Sequence, residues 1–559
     1  MKTNLRGDIP PDAGFCFFRL APWPLGPSNL IFMASHKPFL TVDSITVRLR
    51  DRLILPDTAW QIRTDEQWAI LGPNGSGKST LVRSLWGGVP LRTGRIIYDF
   101  AHRGSQPLSQ PPKETIGYVS FEMHQSLMEH EALQEEIREY AGKKEEITSA
   151  RDVICSGISA IRPLTGEDSA KAETVAGLLG IQELLGRGIT SLSTGEMRKT
   201  LIGRALMKSP NLLILDEPFD GLDENSRESL ARTIDRLMSG PMRIILVAHR
   251  LEEIVPNITH VLFVKNGRLF RKGPKEEMLT TENVSQLYGC ALQVERTNGK
   301  FGLARGIGRT ENPPPELLAG QVQTEIPDTL IEMRKTTIRY GAFTALDNLN
   351  WALKKGENWA VLGPNGSGKS TILKLILGDH LQGYANEIKI FGRPKGSGET
   401  LWEIKKRIGV VSSELQVQYR KKMSAQDVIA SGFYDSIGLY RHPTPEQKAT
   451  VDRWVEIMRL EDLAGEPYHH LSYGQRRMIL LARAMVKSPL LLIVDEPCHG
   501  LDIPNRMRIL DLLEIIGRTR TQILYVTNHR EEILNCITHV LQLEKGKVVK
   551  QGKKEEVLG

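Results

Sequence analysis

The sequence predicts an α/β protein built from two similar domains in tandem, each with a mostly parallel sheet that has helices on both faces. Three observations predict this fold. The chain has 559 residues, which is too many for a single hydrophobic core. Its second half repeats the motifs of its first half in the same order. Short apolar runs are each followed by a glycine-rich or acidic motif and then a helical stretch, which is typical of parallel strands that carry ligand-binding residues at their carboxyl ends.

The composition is that of an ordinary globular protein and argues against several functional classes. The formal net charge of +7 is spread over interspersed acids and bases, so we expect no direct nucleic-acid binding. The five cysteines form no CxxC pair, which argues against a zinc site or a disulfide framework and favours a reducing compartment. No run reaches the ~18–20 apolar residues of a membrane helix, so a separate partner must supply any membrane-spanning part.

The first 36 residues differ in character from the rest. Prolines as far as Pro27, together with Asp8 and Asp12, surround the apolar patch Phe15–Phe18. A secretory signal needs an uninterrupted apolar segment behind a basic start, so we reject one. We interpret residues 1–36 either as a disordered N-terminal extension or as the product of an upstream start codon, with Met33 as the true beginning.

The internal repeat predicts the domain boundaries. LGPNGSGKST occurs at Leu71–Thr80 and at Leu362–Thr371, an offset of 363 − 72 = 291. LSTGE and LSYGQ are offset by 472 − 193 = 279, and LLILDEP and LLIVDEP keep this second offset. Repeats of this length indicate two whole domains, at 37–290 and 327–559. The intervening residues 291–326 contain the run Pro313–Pro315, which predicts a linker packed over the surface rather than a long helix.

Three apolar runs of the first half are predicted to be buried parallel strands, and each has a counterpart in the second half. They are Trp68–Leu71, Leu212–Leu215 and Ile244–Val247. Continuous rather than alternating apolar character is expected when both faces of a sheet are covered. The ligand is therefore expected at the carboxyl ends of these strands.

Each half contains the phosphate-binding pattern GxxxxGK[ST] between a predicted strand and a predicted helix. The glycines let backbone N–H groups turn toward phosphate oxygens, and the helix N-terminus adds the positive end of its dipole. Lys78 and Lys369 are predicted to reach the β- and γ-phosphates of ATP, and Ser79 and Ser370 to ligate Mg²⁺. The predicted nucleotide-binding residues of the two loops are Gly72, Pro73, Asn74, Gly75, Ser76, Gly77, Lys78, Ser79, Thr80, Gly363, Pro364, Asn365, Gly366, Ser367, Gly368, Lys369, Ser370 and Thr371.

Each half also places an acidic pair directly after four apolar residues, at the end of a predicted buried strand. The first acid, Asp216 or Asp495, is predicted to hold Mg²⁺ together with the loop serine. The second, Glu217 or Glu496, is predicted to be the general base that polarises the attacking water. Because both halves keep these acids and the lysine, the sequence predicts two ATP-hydrolysing sites.

LSTGE and LSYGQ resemble the LSGGQ signature of the ATP-binding cassette (ABC) ATPases, which have the P-loop NTPase fold. Gly221–Asp223 and Gly500–Asp502 are similar to the D-loop of that family, and the resemblance covers nearly all of residues 37–559. It implies helical subdomains beside the sheets and a head-to-tail sandwich within one monomer, in which the signature of each cassette covers the ATP of the other. The implied signature residues are Ser193, Thr194, Gly195, Glu196, Ser472, Tyr473, Gly474 and Gln475.

Two histidines are similar to the switch histidine of the family. His249 lies 249 − 217 = 32 residues after Glu217, and His529 lies 529 − 496 = 33 residues after Glu496, each at the end of a β-like run. The resemblance implies that both histidines are catalytic.

The two sites are predicted to be unequal on their adenine side. Tyr340 stands where the family stacks an aromatic ring on adenine, whereas the ungapped alignment of the halves gives Leu49 in the first half. The first site is therefore expected to hold the base more loosely.

Three functional hypotheses follow. The fused pair and the segments VSFE and VSSELQ resemble the ModF group of molybdate-transport or photorepair-type ATP-binding proteins. This resemblance implies a cytoplasmic ATPase, peripheral on the cytoplasmic face of the membrane, that energises a separate permease for molybdate or a similar oxyanion. A soluble regulatory or repair-related ATPase is the second hypothesis, and a ribosome-associated factor of the ABC-F type is the third, although the segment 291–326 is short for the linker of that branch.

The second hypothesis is suggested by the position of the Q-loop glutamine, which senses Mg²⁺ and the membrane partner in the transporters of this family. In this sequence the position falls either on Phe121 and Ser413 or one residue later on Glu122 and Glu414. Neither alternative is a glutamine.

Overall fold

The two halves of the chain form the same sheet, strand for strand, in a computed structural model. The structure describes residues 37–49, 52–103, 106–108, 114–140, 147–159, 161, 163–297, 299–303, 326–341, 343–398, 400–419 and 423–559. The predictions made for residues 1–36, and for residues 304–325 of the linker, lie outside the described residues. Pro38–Gly559 belong to one compact unit.

The strands are numbered in chain order. Those of the first half are β1 (Pro38–Leu49), β2 (Arg52–Arg63), β3 (Trp68–Leu71), β4 (Leu91–Arg103), β5 (Gln106–Leu108), β6 (Ile116–Ser120), β7 (Leu212–Asp216), β8 (Arg243–Val247), β9 (His260–Lys265), β10 (Arg268–Pro274), β11 (Val294–Thr297) and β12 (Lys300–Leu303). Those of the second half are β13 (Thr329–Tyr340), β14 (Phe343–Lys354), β15 (Trp359–Leu362), β16 (Glu387–Ile390), β17 (Arg393–Pro394), β18 (Ile408–Val411), β19 (Leu491–Asp495), β20 (Gln522–Thr527), β21 (His539–Glu544) and β22 (Lys547–Lys553).

Each half has one large sheet that is parallel except at one edge. The order in the first half is β10-β9-β3-β8-β7-β6, and in the second half it is β22-β21-β15-β20-β19-β18. Only the hairpins β9–β10 and β21–β22 within these sheets are antiparallel. The predicted α/β fold with mostly parallel core sheets is confirmed. A smaller antiparallel sheet stands beside each, in the orders β2-β1-β4-β5 and β14-β13-β16-β17.

Helices cover the large sheets because each predicted strand is followed by a helical segment. The described α-helices are Lys78–Trp86, Phe121–Tyr140, Ala150–Ser159, Gly166–Leu179, Thr194–Leu206, Glu224–Met238, Lys275–Met278, Thr281–Tyr288, Lys369–Leu377, Leu401–Lys406, Ser413–Gln418, Ala425–Ala430, Pro445–Ile457, Glu461–Ala464, Tyr473–Met485, Ile503–Ile516 and Lys554–Leu558. Short 3₁₀ turns are Gln182–Leu184, Ile189–Ser191, Leu251–Glu253, Leu381–Ala385, Ser431–Tyr434, Tyr468–His470 and Arg530–Glu532. None of the described helices is long and apolar enough to cross a membrane.

The hairpin β11–β12 occupies part of the segment that the sequence predicts as a linker. Phe301 is buried in the core of the first half, and Arg296 forms an ion pair with Glu276 at 3.0 Å. Residues 294–303 are therefore held on the first half rather than spanning between the halves.

The two halves also share a hydrophobic contact. Ile503, the first residue of a helix in the second half, is 3% exposed and belongs to the same buried cluster as the core of the first half. Burial of this apolar side chain between the halves favours their association.

Candidate functional site

Both predicted phosphate loops end in a glycine whose conformation other residues rarely adopt. Gly77 has a φ angle of 103° and Gly368 of 102°, in the left-handed region that favours glycine. A Cβ atom on Gly368 would lie 2.7 Å from the carbonyl oxygen of Ala345. The helices Lys78–Trp86 and Lys369–Leu377 begin directly after these glycines, so their unpaired N–H groups are available to an anion in the loop.

The loop lysines lie folded into their own loops. Lys78 Nζ donates to the carbonyl oxygens of Gly72 at 2.8 Å and Pro73 at 3.0 Å, and Lys369 Nζ makes the equivalent bonds at 2.7 and 2.9 Å. Burial lowers the pKa of both ammonium groups, although neighbouring carboxylates oppose the shift. The charge–charge attraction of such a desolvated cation for phosphate is stronger than in water.

The first loop is joined to the acid at the end of β7. Ser79 Oγ donates to Asp216 Oδ1 at 3.1 Å, and Tyr118 OH donates to Asp216 Oδ2 at 2.9 Å. Arg83 Nε donates to Tyr118 OH at 3.3 Å and forms an ion pair with Glu122. The hydroxyl and carboxylate oxygens are hard ligands that fit Mg²⁺, which is commonly held by one or two protein oxygens plus phosphate and water.

Tyr118→Phe is expected to raise the Mg²⁺ concentration needed for half-maximal ATP hydrolysis by about tenfold, since a hydrogen bond to a charged group contributes about 1.5–3 kcal/mol. Burial raises the pKa of Tyr118 to about 12, so its hydroxyl remains a donor at neutral pH and orients Asp216. Titration of the hydrolysis rate with Mg²⁺ at saturating ATP measures the shift. Tyr98→Phe is the matched control, because Tyr98 is equally buried but donates to the carbonyl oxygen of Leu85. An identical Mg²⁺ dependence for the two variants would rule out the orienting role.

A histidine and two carboxylates meet beyond the end of β7. His249 Nε2 lies 2.8 Å from Glu217 Oε1, and Asp220 brings a third group, so that one ligand atom from each lies within 4.8 Å of the others. Burial opposes the charged form of His249, but the charge and hydrogen bond of Glu217 outweigh it and raise the pKa of the imidazole. The same contact, against burial, lowers the pKa of Glu217. Glu217 is therefore ionised at neutral pH.

Both glutamates of the acidic pairs have a strained backbone. The φ angle is 55° at Glu217 and 45° at Glu496, and such a conformation costs about 1–3 kcal/mol in a residue other than glycine. The N–H of Glu217 donates to Val247 at 3.1 Å, and that of Glu496 donates to Val526 at 2.9 Å. These bonds to the neighbouring strand fix the turn that carries each glutamate out of the sheet.

The first phosphate loop contacts the D-loop-like segment of the second half. The backbone N–H of Asn74 donates to Asp502 Oδ2 at 2.8 Å, and its side-chain amide donates to the carbonyl oxygen of Gly500 at 2.9 Å. Asp502 Oδ1 accepts from both nitrogens of Asn505, at 3.2 and 2.7 Å, so the same carboxylate caps the following helix. Asp502 thus links the first nucleotide loop to a helix of the other half.

The second phosphate loop makes the reciprocal contact. The backbone N–H of Asn365 donates to Asp223 Oδ2 at 3.3 Å, and its side-chain amide donates to the carbonyl oxygen of Gly221 at 3.2 Å. Asp223 Oδ1 in turn accepts from the N–H of Ser226 at 2.8 Å. The two halves are therefore arranged head to tail within one chain.

The signature segments open helices through capping boxes. Ser193 Oγ accepts from the N–H of Glu196, whose carboxylate accepts from the N–H of Ser193; Ser472 and Gln475 make the same pair. Glutamate and glutamine serve equally as the acceptor in this motif, which explains why both occur. Across the described chain, no hydrogen bond or ion pair joins either signature to the opposite phosphate loop; the D-loop contacts make that connection.

Comparison with known proteins agrees with this arrangement. The ABC transporter family matches residues 55–220 and 346–499. The chain belongs to the ABC ATPase family. It is 37% identical over 501 residues to the ABC transporter ATP-binding protein ModF of Escherichia coli, covering 89% of this chain and 95% of that one. It is 26% identical over 522 residues to an ABC transporter ATP-binding protein of Schizosaccharomyces pombe, covering 92% and 99%.

A solved structure of archaeal ribosome recycling factor aABCE1 in complex with ribosomal stalk protein aP1 superimposes on this ABC ATPase with a TM-score of 0.54. It has 18% sequence identity and covers 92% of this chain and 91% of its own. At this identity the likeness concerns the fold alone. As a family member with both loops and both acidic pairs, the protein binds and hydrolyses ATP.

The adenine sides of the two cassettes differ as the sequence predicts. Tyr340 is 47% exposed, and its ring meets His380 edge-on with centroids 5.3 Å apart, which leaves ring surface open to a base. Leu49, which the alignment of the halves pairs with Tyr340, is exposed to a similar degree but offers no aromatic face.

The metal-holding residues of the second cassette are arranged more loosely. In the described structure no hydrogen bond joins Ser370 to Asp495, unlike the pair in the first cassette. Burial, then the charge of Glu496, raises the pKa of Asp495 to about 6. The strand position of Tyr118 is held by Val410, which cannot donate a hydrogen bond. Sequence analysis missed Tyr118, because a tyrosine inside an apolar run reads as a core residue.

His529 does not lie where the family resemblance implies. Its Nδ1 is 3.1 Å from Glu531 Oε1, and Arg227 of the first cassette lies 2.9 Å from its Nε2. Among the described residues no hydrogen bond or ion pair connects His529 to Glu496. The prediction that His529 is catalytic is corrected: it is a residue of the interface between the cassettes.

The backbone shows which residue is the counterpart of His529. His529 is the cap of the 3₁₀ turn Arg530–Glu532, as Arg250 is the cap of Leu251–Glu253. The extra residue in the spacing of 33 therefore moves His529 one position past that of His249.

The Q-loop positions hold no glutamine, and the structure assigns them different contacts. Phe121 begins a 20-residue helix, whereas the helix that begins at Ser413 has six residues. Glu122 is exposed and pairs with an arginine. Gln416, which sequence analysis did not single out, is buried and donates to the carbonyl oxygen of Tyr473 in the signature at 3.2 Å.

Proposed function

We propose that this ABC ATPase energises a membrane transporter whose spanning part is a separate permease, with molybdate or a similar oxyanion as cargo. The chain would work as a monomer on the cytoplasmic face of the membrane. The cargo rests on the resemblance to the ModF group, and the docking of a permease rests on grooves at the surface of the cassettes.

The chemistry of the drive follows from the first site. Glu217 would accept a proton from the attacking water while the water oxygen bonds to the γ-phosphorus and the bridging oxygen leaves with ADP. Lys78 would neutralise phosphate charge, and His249 would keep Glu217 oriented. Ser79 and Asp216 would hold Mg²⁺, which when bound neutralises charge that develops on the phosphates.

An open groove of about 550 Å³ in the first cassette supports docking of a partner. Arg83, Trp86, Tyr118 and Glu122 line it together with the first turns of the helix Phe121–Tyr140. Since Arg83 and Tyr118 also lead by hydrogen bonds to Asp216, a segment seated in this groove would contact the residues that hold the metal-binding acid.

The second cassette has a groove of about 390 Å³ with an aromatic rim. Trp402 is 61% exposed and Tyr440 69% exposed, and Lys406 and Asp435 lie beside them. Exposed aromatic residues with charged neighbours are characteristic of protein–protein interfaces rather than of free surface. This rim is the observation that carries the proposal.

Affinity purification of the full chain from membranes tests the proposal. The variant Glu217→Gln/Glu496→Gln, which should hold ATP without hydrolysing it, is expected to co-purify with a membrane-spanning protein. Adding Trp402→Ala/Tyr440→Ala should reduce the recovered partner about tenfold or more, because interface aromatic residues contribute 2 kcal/mol or more each. Tyr384→Ala, an exposed tyrosine outside the groove, is the control. Recovery of no membrane protein would contradict the proposal.

The Q-loop positions favour a second candidate. With Phe121 and Glu122 in one cassette and Ser413 and Glu414 in the other, the residue through which transporters of this family sense a permease is absent from both. A soluble ATPase with a regulatory or repair role, or one that acts on ribosomes, needs no such residue. Co-sedimentation of the trapped double variant with ribosomes, and its absence from membranes, would establish the ribosomal version.

A further inference from the structure

We infer that the two sites divide the work: the first hydrolyses ATP turnover after turnover, and the second retains ATP and hydrolyses it slowly, because Asn528 stands where a histidine is needed. The inference concerns the ATPase activity itself and does not depend on the transport proposal.

Strand register identifies Asn528 as the counterpart of His249. Asp216 pairs with Val247 and Asp495 with Val526 in the parallel sheets. His249 follows Val247 by two residues, and Asn528 follows Val526 by two residues. The offset of 528 − 249 = 279 is the one that also relates the acidic pairs.

The environment of Asn528 lacks the contacts of His249. Its side-chain oxygen is buried and has no hydrogen-bond partner in the described structure, and no bond joins Asn528 to Glu496. An amide carries no positive charge and exchanges no proton near neutral pH. It therefore cannot provide the charged hydrogen bond that holds Glu217 beside His249.

A second residue of the histidine cluster is also changed. Asp220, which lies with Glu217 and His249 in the first cassette, corresponds to His499 in the second, at the same offset. The ring of His499 lies near Phe121 of the first cassette, with centroids 6.4 Å apart. The second site thus has the general base but neither of the groups that accompany it in the first.

The adenine side makes the opposite distinction. Tyr340 offers an aromatic face at the second site, where stacking of a base on an aromatic ring strengthens binding by about tenfold, while Leu49 does not at the first. Slow chemistry and firm binding coincide in one site, and a complete histidine cluster with looser base binding in the other. This pairing suits a second site that holds the sandwich closed while the first exchanges nucleotide.

The test is a gain of function in the full chain. In the background Glu217→Gln, which silences the first site, Asn528→His is expected to raise phosphate release at least tenfold, of the order a positioned acid–base group contributes. Asn528→Leu in the same background is the control and should give no increase. A rate for Glu217→Gln alone close to that of the parent would overturn the inference, as would no gain from Asn528→His in protein that binds two ATP per chain.

Retained nucleotide gives an independent measurement that needs no variant. After brief incubation with ATP and Mg²⁺ and rapid desalting, the parent chain is expected to keep about one ATP per chain, with ADP from the first site released. His249→Asn should retain about two ATP per chain. Equal loss of both nucleotides from the parent chain would overturn the inference even if every variant failed to fold.

Discussion

Glu217→Gln is expected to slow steady-state ATP hydrolysis by about 100-fold or more, the usual contribution of a general base. Glutamine keeps the size of the side chain but cannot accept the proton of the attacking water. In the parent protein the contact with His249 keeps the pKa of Glu217 below its ordinary value despite burial, so the base is ready at neutral pH. The substitution also removes the negative charge that keeps His249 protonated.

Glu496→Gln is the matched variant at the second site, and its effect is expected to be less than about threefold in a difference measurement of this kind. The two glutamates share the left-handed backbone and the bond to the neighbouring strand, so backbone effects cancel in the comparison. Phosphate release at saturating ATP and Mg²⁺ measures both rates, and equilibrium dialysis establishes that each variant still binds nucleotide. Equal losses from the two variants would show that the sites turn over in strict alternation and would contradict the division of work.

Features fixed by neighbours in sequence could be predicted from the sequence. The strand β3 begins and ends at the predicted residues, Trp68 and Leu71, and β7 extends the predicted run by one residue to Asp216. A buried parallel strand needs a continuous apolar run, and a phosphate loop needs glycine at its left-handed position, so each leaves a local pattern. The order of these patterns was sufficient for the α/β fold and for the tandem repeat.

Features that depend on distant residues could not be predicted so readily. Tyr118 and Asp216 are far apart in sequence, and their hydrogen bond forms only because β6 and β7 are paired in register. Asn528 was overlooked because the adjacent His529 satisfied the expected motif. The constant offset of 279 from Glu217 to Ile258 was the available signal, and following it through the turn would have placed Asn528 opposite His249.

The correction at His529 reveals how the cassettes are held together. Arg250 of the first cassette pairs with Glu532 of the second at 3.0 Å and with Glu531 at 3.5 Å, while Arg506 lies 3.4 Å from Glu532. His529 and Arg227 contact each other in the same cluster. These contacts use no nucleotide, so the halves remain joined between turnovers. Tethering of this kind gives the D-loops an effective concentration in the millimolar range at the opposite phosphate loops.

Arg250→Met is expected to destabilise the folded protein by about 3 kcal/mol, at the lower end of the cost of breaking a buried ion pair. Methionine replaces the aliphatic part of arginine but leaves the Glu532 carboxylate, 1% exposed, without its nearest partner. The lower end applies because Arg506 remains beside Glu532. The shift of the denaturant midpoint, monitored by tryptophan fluorescence, measures the loss. Arg268→Met, at an exposed arginine of β10, is the control and should change the midpoint little.

The double variant Arg250→Met/Glu532→Gln separates a lost attraction from an abandoned charge. If the cost comes from leaving Glu532 buried and charged without its partner, neutralising it should restore much of the stability, because a pair removed from both sides costs far less than one broken from one side. Losses that simply add would instead mean that each residue acts through other contacts. In that case the cluster would not be the joint between the cassettes, and the apolar contact of Ile503 with the first core would have to carry most of their association.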